Sequence, residues 1–216
     1  MKAALLSGLI SIGLGAVAPA AELPPAASNP KPLFDGKTLS GWEGDAKIWR
    51  VEDGVLTGGS LMETVKRNEF LATTRDFTNF IVRFKIKLTG TNGFINSGFQ
   101  IRSQRVPDNS EMAGYQCDFG EPNWYGAIYD ESRRNKVMSA SDMKALRPAI
   151  KQQDWNDYVI RADGPRVMTW INGVMGTDYT EADANISDWG LEFGFWEFMA
   201  GSHPVRKRRS STRRTA

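Results

Sequence analysis

The stretch 77–88, FTNFIVRFKIKL, decides the fold class. Every second residue from Phe80 to Leu88 is apolar, and the residues between them are mostly charged. A strand with this pattern has one apolar face and one polar face. Alternation of this length is typical of a half-buried strand in an antiparallel sheet, which packs one face on the core and turns the other towards water.

Further short strands are predicted on both sides of this stretch. An Asp-Gly pair between apolar runs is a hairpin signal, and the pair at 53–54 divides Lys47–Thr57 into two strands. Helix is predicted over Ser141–Leu146 alone. Many short strands with frequent turn signals predict an all-β sandwich. The other predicted strands are Glu69–Thr73, Gly98–Ser103, Asn156–Ala162, Arg166–Ile171 and Val174–Tyr179.

The two ends of the chain differ from this strand-rich body. Residues 1–20 run from Lys2 through an apolar stretch to small residues, which is the order of a secretory signal peptide cleaved near Ala20. The protein is therefore expected to be exported, periplasmic or secreted, without stable membrane insertion, because the apolar run is short for a span. Residues 21–32 predict a flexible leader, 33–200 one β-sandwich domain, and 201–216 a basic, disordered tail.

Charge and cysteine usage argue against other classes of protein. The 216 residues carry a formal net charge of +2, but without Lys2 and the basic tail 20 basic residues stand against 25 acidic ones. This balance gives no support for nucleic-acid binding. Cys117 is the single cysteine, so no intramolecular disulfide can form, and His203 is the single histidine. Cys117 is predicted to be a small strand residue rather than a nucleophile.

The stretch 114–134, GYQCDFGEPNWYGAIYDESRR, concentrates acids, arginines and aromatic residues among glycines. Ionisable groups placed among aromatic rings and tight turns suit the recognition of a polar ring compound such as a sugar. The alternative is a decorated β-hairpin whose acids are simply solvated, and the residues alone leave both interpretations open.

Four motifs, in order along the chain, resemble the DUF1080 family, the 3-keto-disaccharide hydrolase domain. The resemblance covers roughly Leu33–Asp188. It implies a concanavalin A-like jelly roll of two antiparallel sheets, an exported bacterial protein, and action on glycosides oxidised to a ketone at sugar carbon 3. The motifs are FDGKTLSGW at 34–42, NSGFQIR at 96–102, the stretch 114–134, and WNDYVIRADGPRVMTWINGV at 155–174.

A 3-keto substrate suits cleavage by elimination. The ketone acidifies the hydrogen on carbon 2, so a base can remove it and the aglycone can then leave from carbon 1. Such a route needs a carboxylate base, a donor for the enolate oxygen and an acid for the leaving group. We expect Asp118 and Glu121 to be the base and the acid, or metal ligands. Strand alternation places Gln116 and Asp118 together on the face opposite Cys117.

The residues predicted to bind the substrate surround this pair. Arg102 is expected to donate to a ketone or hydroxyl, although a solvated strand arginine is an equal alternative. Asn96 is expected to hold a turn, with metal ligation as the second interpretation. Of Asp130 and Glu131, one is expected to pair with Arg134 and the other to contact the ligand. The full set is Asn96, Arg102, Gln116, Trp124, Tyr125, Asp130, Glu131 and Arg134; most of Trp42, Trp49, Trp155 and Trp170 are predicted to be core.

A metal and the state of the C-terminus are left open by the sequence. A divalent cation such as Ca²⁺ would suit carboxylates and amide oxygens, but no EF-hand spacing is present. Leu191–Phe198 can pass as a strand, whereas Arg206–Ala216 lacks apolar alternation and cannot form the closing strand of the family. A frame shift near Ser187–Gly190 would explain this ending, and an inactive, C-terminally altered family member is then one alternative for the function. The other interpretation of the ending is a natural basic tail that contacts anionic surfaces. A non-catalytic carbohydrate-binding jelly roll is the other alternative, because fold does not fix function.

Overall fold

The computed structural model describes residues 21–63, 65–90, 95–183 and 197–200. The predicted signal peptide, the tail and the whole of 184–196 therefore lie outside the described residues. Thirteen strands, one α-helix (α1, Met143–Leu146) and a 3₁₀ turn (Arg147–Ala149) are present in the described part. The strands are β1 (Trp42–Glu43), β2 (Trp49–Glu52), β3 (Val55–Gly58), β4 (Glu69–Thr73), β5 (Phe80–Ile86), β6 (Asn96–Arg105), β7 (Met112–Gly120), β8 (Ile128–Glu131), β9 (Lys136–Ser139), β10 (Asn156–Asp163), β11 (Arg166–Ile171), β12 (Val174–Thr180) and β13 (Glu197–Ala200).

Two antiparallel sheets form a sandwich, which confirms the predicted all-β jelly-roll class. The larger sheet has the order β1-β4-β13-β6-β7-β8-β9, and the smaller one has the order β12-β11-β10-β5. Strands β2 and β3 form a separate hairpin around the predicted Asp53-Gly54 turn. Strand β13 pairs with β4 and β6 inside the larger sheet. The predicted strand Leu191–Phe198 is thus described over its last two residues.

The main core lies between the two sheets. Strand β7 contributes Tyr115, Cys117 and Phe119, each at most 2% exposed, and β10 contributes Tyr158 and Ile160 from the opposite sheet. Burying one large apolar side chain stabilises the fold by about 1.5–3 kcal/mol. This core fixes which face of β7 points inward, and therefore which side chains remain for the other face. Burial of Cys117 raises the pKa of its thiol, as suits a packing residue rather than a nucleophile.

Several predicted boundaries are close to the observed ones. Strands β4 and β11 have the predicted limits, and β5 is the central part of the opening stretch. The helix starts two residues later than predicted, because the side chain of Asp142 caps it by accepting from the backbone N–H groups of Lys144 and Ala145. No described helix is long and apolar enough to cross a membrane.

The predicted leader, 21–32, contains neither helix nor strand but contacts the smaller sheet. The indole N–H of Trp170 donates to the Ala21 carbonyl at 3.4 Å, and the guanidinium of Arg83 donates to the Pro24 carbonyl. Trp42, Trp49 and Trp170 are at most 8% exposed, as predicted for core residues. Trp155 is the exception at 37% exposed. It follows the turn before β10, where the Lys87 ammonium lies 5.6 Å from its ring centroid.

Candidate active site

Polar side chains line the outer face of the larger sheet, opposite the core. Gln116 of β7 lies directly opposite Gln100 of β6 and Tyr129 of β8, and Glu131 lies opposite Gly114. Residues that are directly opposite share a face of the sheet. Asp118, two positions from Gln116, shares this face as well. We call Asn96, Gln100, Gln116, Asp118, Tyr129 and Glu131 the outer-face row.

Asp118 lies at the centre of a set of amide donors. Its carboxyl accepts a hydrogen bond from Gln116 Nε2 at 2.6 Å and another from the Asn96 side chain, and the residue is 2% exposed. Two glycines make room for these amides. A Cβ at Gly98 would lie 2.6 Å from Gln116 Cγ, and one at Gly120 would lie 2.6 Å from Asn96 Nδ2. Asn96 is therefore a buried residue at the start of β6, and the favoured prediction that it holds a turn was wrong.

Burial decides the protonation of Asp118. It raises the pKa of this carboxyl well above its usual range, and the negative charge of Glu131 acts in the same direction. The hydrogen bonds from Gln116 and Asn96 oppose this shift without reversing it. Burial, together with the nearby Glu111, also raises the pKa of Glu131, which is only partly buried. Asp118 is thus suited to hold a proton and give it up.

Tyr129 and Gln100 belong to this face as well, although neither is among the site residues predicted from the sequence. The Tyr129 ring is partly exposed and meets Trp124 edge-on, with 6.4 Å between the ring centroids. Within the described part of the chain, its hydroxyl has no hydrogen-bond partner. The amide oxygens of Gln100 and Gln116 are buried and also lack one. Each of them follows a buried apolar residue, in Phe99-Gln100 and Ile128-Tyr129. This alternation is the sequence pattern that could have placed them on the face opposite the core.

Glu121 belongs to a different group of side chains. It accepts hydrogen bonds from the Tyr125 hydroxyl at 2.9 Å and from Gln152 Nε2 at 2.6 Å, and it lies 3.5 Å from the Arg147 guanidinium. The Tyr125 ring packs edge-on against Phe119, whose side chain points into the core. Glu121 and Tyr125 therefore do not share the partners of Asp118. The two predicted catalytic carboxyls thus have no hydrogen-bond partner in common among the described residues.

Asp130 and Arg134 are held in a buried ion-pair network between the sheets. Asp130 is fully buried and accepts from Arg133 Nε at 2.8 Å and from Arg134 Nε. Arg134 Nη2 also donates to Glu181 at 2.6 Å, and the Tyr115 hydroxyl donates to the same carboxylate at 2.5 Å. The prediction that one of the two neighbouring acids pairs with Arg134 is confirmed, and that acid is Asp130.

The carboxylates of this network are paired with arginine and tyrosine donors, although Arg133 Nη2 is buried without a partner. Burial acts to raise the pKa of Glu181, but hydrogen bonds from Arg134, Tyr115 and Tyr179 outweigh it and lower the pKa to about 2. Glu181 is 7% exposed and follows β12, so the network joins the two sheets. We refer to Tyr115, Asp130, Arg133, Arg134, Tyr179 and Glu181 as the inter-sheet clamp.

Arg102 lies at an irregularity in β6 and not in the outer-face row. The register between β6 and β7 shifts between Ile101 and Gln104, and Arg102 has a positive φ of 51°. It is 3% exposed, and its Nε and Nη2 atoms have no hydrogen-bond partner. Burial lowers the pKa of its guanidinium, while Tyr115 and Cys117, both interior residues, act in the opposite direction. The predicted role as a donor to the substrate remains without a supporting contact.

Two other features bear on where a ligand or metal could bind. Among the described residues, no three His, Cys, Asp or Glu side chains lie together as a metal site would require. A wide cleft of about 1800 Å³ opens between the β2–β3 hairpin, the leader and β5, and its lining includes Asn96. Its walls are mostly apolar, for example Val55, Leu56 and Val82. We place the candidate site at the outer-face row instead, because convergent polar groups with shifted pKa values are found there.

Comparison with solved structures places this sandwich in a class that includes glycosyl hydrolases and carbohydrate-binding modules. A protein from Parabacteroides distasonis ATCC 8503, assigned provisionally to the glycosyl hydrolases, is 21% identical with a TM-score of 0.56, over 79% of this chain and 87% of that one. Carbohydrate-binding module CBM66 from Bacillus subtilis is 13% identical with a TM-score of 0.56, over 75% and 88% of the two chains. At these identities the likeness shows the fold alone.

The family itself is defined by the sequence match. Residues 29–205 match the 3-keto-alpha-glucoside-1,2-lyase-like domain. The chain belongs to this family, and the resemblance inferred from the four motifs is confirmed. The match continues beyond Asp188, where the motif-based resemblance ends. A search of curated proteins finds no match.

Proposed function

We propose that this protein is a carbohydrate-active enzyme that cleaves 3-keto-glycosides by elimination. The observation that carries the proposal is the buried Asp118 carboxyl, which is held by two amide donors and has a raised pKa. Family membership supports the class of substrate. A carboxyl that keeps its proton to a higher pH than usual is suited to act as a general acid, and catalysis of this kind contributes about 10²–10⁴-fold in rate.

The outer-face row suits a division of roles between two carboxyls. Glu131, partly exposed, takes the proton from carbon 2, and the electron pair of that C–H bond forms a C2–C3 double bond while the ketone oxygen becomes an enolate. The enolate then restores the C3 carbonyl, a C1–C2 double bond forms, and the C1–oxygen bond breaks. Asp118 gives its proton to the leaving oxygen. Addition of water across C1–C2 completes hydrolysis and gives the free 3-keto sugar.

This assignment changes one part of the sequence prediction. Asp118 remains the leading candidate, but its raised pKa favours the acid rather than the base. Glu131 replaces Glu121 as the second carboxyl, because Glu131 lies on the same face and influences the pKa of Asp118. Glu121 is engaged with Tyr125 and Gln152 instead.

The test is turnover of a 3-keto-disaccharide and of its unoxidised parent by the purified protein, with product detected by mass spectrometry. Asp118→Asn should lower turnover by about 10²–10⁴-fold, whereas Asp157→Asn, which changes an exposed carboxyl paired with Lys85, should not. Unchanged turnover in Asp118→Asn would remove Asp118 from the mechanism. A parallel series with EDTA and with added Ca²⁺ decides whether a divalent cation, as the sequence allows, takes part.

A non-catalytic carbohydrate-binding module is the second candidate. The observation that favours it is the likeness of the sandwich to CBM66, whose TM-score equals that of the Parabacteroides protein. It predicts saturable binding of a sugar, measured by calorimetry, with no product from either disaccharide. Product release from the 3-keto substrate excludes this candidate.

Export and an altered C-terminus complete the proposal. N-terminal sequencing of protein recovered from the periplasm or medium should begin at Ala21 or Glu22 if residues 1–20 or 1–21 are a cleaved signal peptide. Re-reading the coding DNA near Ser187–Gly190 in the other frames tests the frame shift. A family-like ending in another frame supports it, and its absence from all frames excludes it.

A further inference from the structure

We propose that Tyr129 and Gln116 together recognise the hydroxyketone of the substrate, with Tyr129 donating to the 3-keto oxygen and Gln116 accepting from the 2-hydroxyl. The inference rests on the proposed function for the identity of the substrate. Its basis is a buried acceptor without a partner, Gln116 Oε1, and a partly exposed donor, the Tyr129 hydroxyl, on residues that lie directly opposite each other on the outer face.

The position of the acceptor is fixed by its neighbours. Gln116 Nε2 donates to Asp118 at 2.6 Å, and the absent Cβ of Gly98 leaves the space that the Gln116 side chain fills. The other atom of the same amide, Oε1, is buried without a partner, although Gln116 is 2% exposed. A buried acceptor that is left unpaired destabilises the fold, because it has lost its hydrogen bonds to water. Such a group in a native protein calls for an explanation, and a ligand hydroxyl would satisfy it.

The donor is the side chain opposite. Tyr129 is partly exposed, and its hydroxyl has no partner among the described residues. Burial, together with the charges of Glu131 and Asp118, raises the pKa of this phenol, so the hydroxyl stays protonated and able to donate. The Trp124 ring packs edge-on against it and supports its orientation.

The two groups match the difference between an oxidised and an unoxidised sugar. A 3-keto-glycoside has a hydrogen-bond donor, the 2-hydroxyl, and an acceptor, the 3-ketone, on adjacent carbons. Gln116 Oε1 can only accept and suits the first, while the Tyr129 hydroxyl can donate to the second. During elimination the ketone oxygen becomes an enolate, so the same donor stabilises the charge that develops. Removing one donor of this kind typically costs about 10²–10³-fold in turnover.

The decisive variant is Tyr129→Phe, which deletes the hydroxyl and keeps the ring. We expect turnover of the 3-keto-disaccharide to fall about 10²–10³-fold. We also expect loss of the preference for binding 3-keto-glucose over glucose, measured by calorimetry on the intact protein. Tyr179→Phe is the matched control, because it removes a hydroxyl from the inter-sheet clamp instead. A cooperative thermal unfolding transition in each variant serves as the check that it is folded.

A second variant tests the acceptor. Gln116→Met keeps the length of the side chain and removes the amide. The wild-type protein should bind 2-deoxy-3-keto-glucose about tenfold more weakly than 3-keto-glucose, which corresponds to one hydrogen bond of about 1.4 kcal/mol. Gln116→Met should bind the two sugars equally. If this variant still distinguishes them, the role of Gln116 is refuted.

The outcomes separate this inference from the proposed function. If the wild type cleaves the 3-keto substrate and Tyr129→Phe keeps both turnover and ketone preference, the inference fails and the proposed function stands. If the wild type binds 3-keto-glucose in preference to glucose, Tyr129→Phe abolishes that preference and no substrate is cleaved, the recognition stands and the enzymatic function fails.

Discussion

Asp118→Asn is expected to separate activity from stability, because burial opposes the charge of this carboxyl. The pKa of Asp118 in the folded protein lies well above the ordinary value of 3.8. At a pH below 3.8 both the folded and the unfolded protein hold the proton, so the raised pKa does not change the free energy of unfolding. As the pH rises through and above that value, the unfolded chain releases the proton while the folded protein retains it. Stability therefore falls with rising pH, until the folded-state pKa is reached.

The magnitude follows from linkage. Within this pH window each unit lowers the free energy of unfolding by about 1.4 kcal/mol relative to a side chain that cannot ionise. Asparagine has the same shape, and its Oδ1 can still accept from Gln116. Any other effect of the substitution, such as a changed contact with Asn96, is independent of pH. The slope of the difference between variant and wild type is therefore the quantity to measure.

The assay is urea-induced unfolding of the wild type and Asp118→Asn at several pH values from 3.5 to 8. We expect the variant to gain stability relative to the wild type by about 1.4 kcal/mol per pH unit above 3.8 until the folded-state pKa of Asp118 is reached, while turnover falls about 10²–10⁴-fold. Parallel stability curves for the two proteins would refute a raised pKa at Asp118. They would also remove the reason for assigning this residue the role of the acid.

Three further predictions concern the surroundings of the site. Glu181→Gln should lower the free energy of unfolding by about 3 kcal/mol, because it removes the charge that Arg134 and two tyrosine hydroxyls stabilise, although Arg134 keeps its ion pair with Asp130; chemical denaturation measures this. The contribution of the Glu181 charge, about 3 kcal/mol, is present above pH 4.5 and is lost as the pH falls towards its folded pKa of about 2, so Glu181→Gln should show a flatter acid-unfolding curve. Gly98→Ala should displace Gln116, since the new Cβ would lie 2.6 Å from Gln116 Cγ, and should cost about 1–3 kcal/mol in denaturation together with most of the turnover. Glu121→Gln should change turnover less than about tenfold, and a loss as large as that of Asp118→Asn would instead support the originally predicted pair.

The alternation of apolar and polar residues was sufficient to predict the sandwich and to place Gln116 and Asp118 on the same face of it. The period of two in 77–88 and in Tyr115–Phe119 identifies the inward faces, and it also places Gln116 and Asp118 together on the outer face. Sequence could not predict the partners of those residues, because partners depend on register between strands. Gln100 and Tyr129 become neighbours of Gln116 through pairings that bring together residues 16 and 13 positions apart.

The register between strands also decides the surroundings of Asp130, Glu131 and Arg102, and it cannot be read from the sequence. Asp130 and Glu131 are adjacent in sequence and look equivalent, but adjacent strand residues point to opposite faces. Asp130 therefore enters the interior and meets Arg133 and Arg134, while Glu131 stays on the outer face. Arg102 lies at a register shift that no simple alternation rule predicts. One such irregularity is enough to move a side chain from the predicted surface to the interior.

The inter-sheet clamp and the outer-face row differ in how the protein treats the charge of their carboxyls. In the inter-sheet clamp the Glu181 carboxylate accepts from Arg134, Tyr115 and Tyr179, and its pKa is lowered. Arg133 Nη2 is buried without a partner in this clamp, but the carboxylates of Asp130 and Glu181 are both paired, and paired charges of this kind contribute rigidity. In the outer-face row the carboxyl pKa is raised and the amide oxygen of Gln116 has no partner. Buried groups without partners lower the stability of a protein. Such groups are expected at functional sites, because a ligand can satisfy them there. The outer-face row is therefore the place to look for the substrate, and the clamp is the support that holds the two sheets together beneath it.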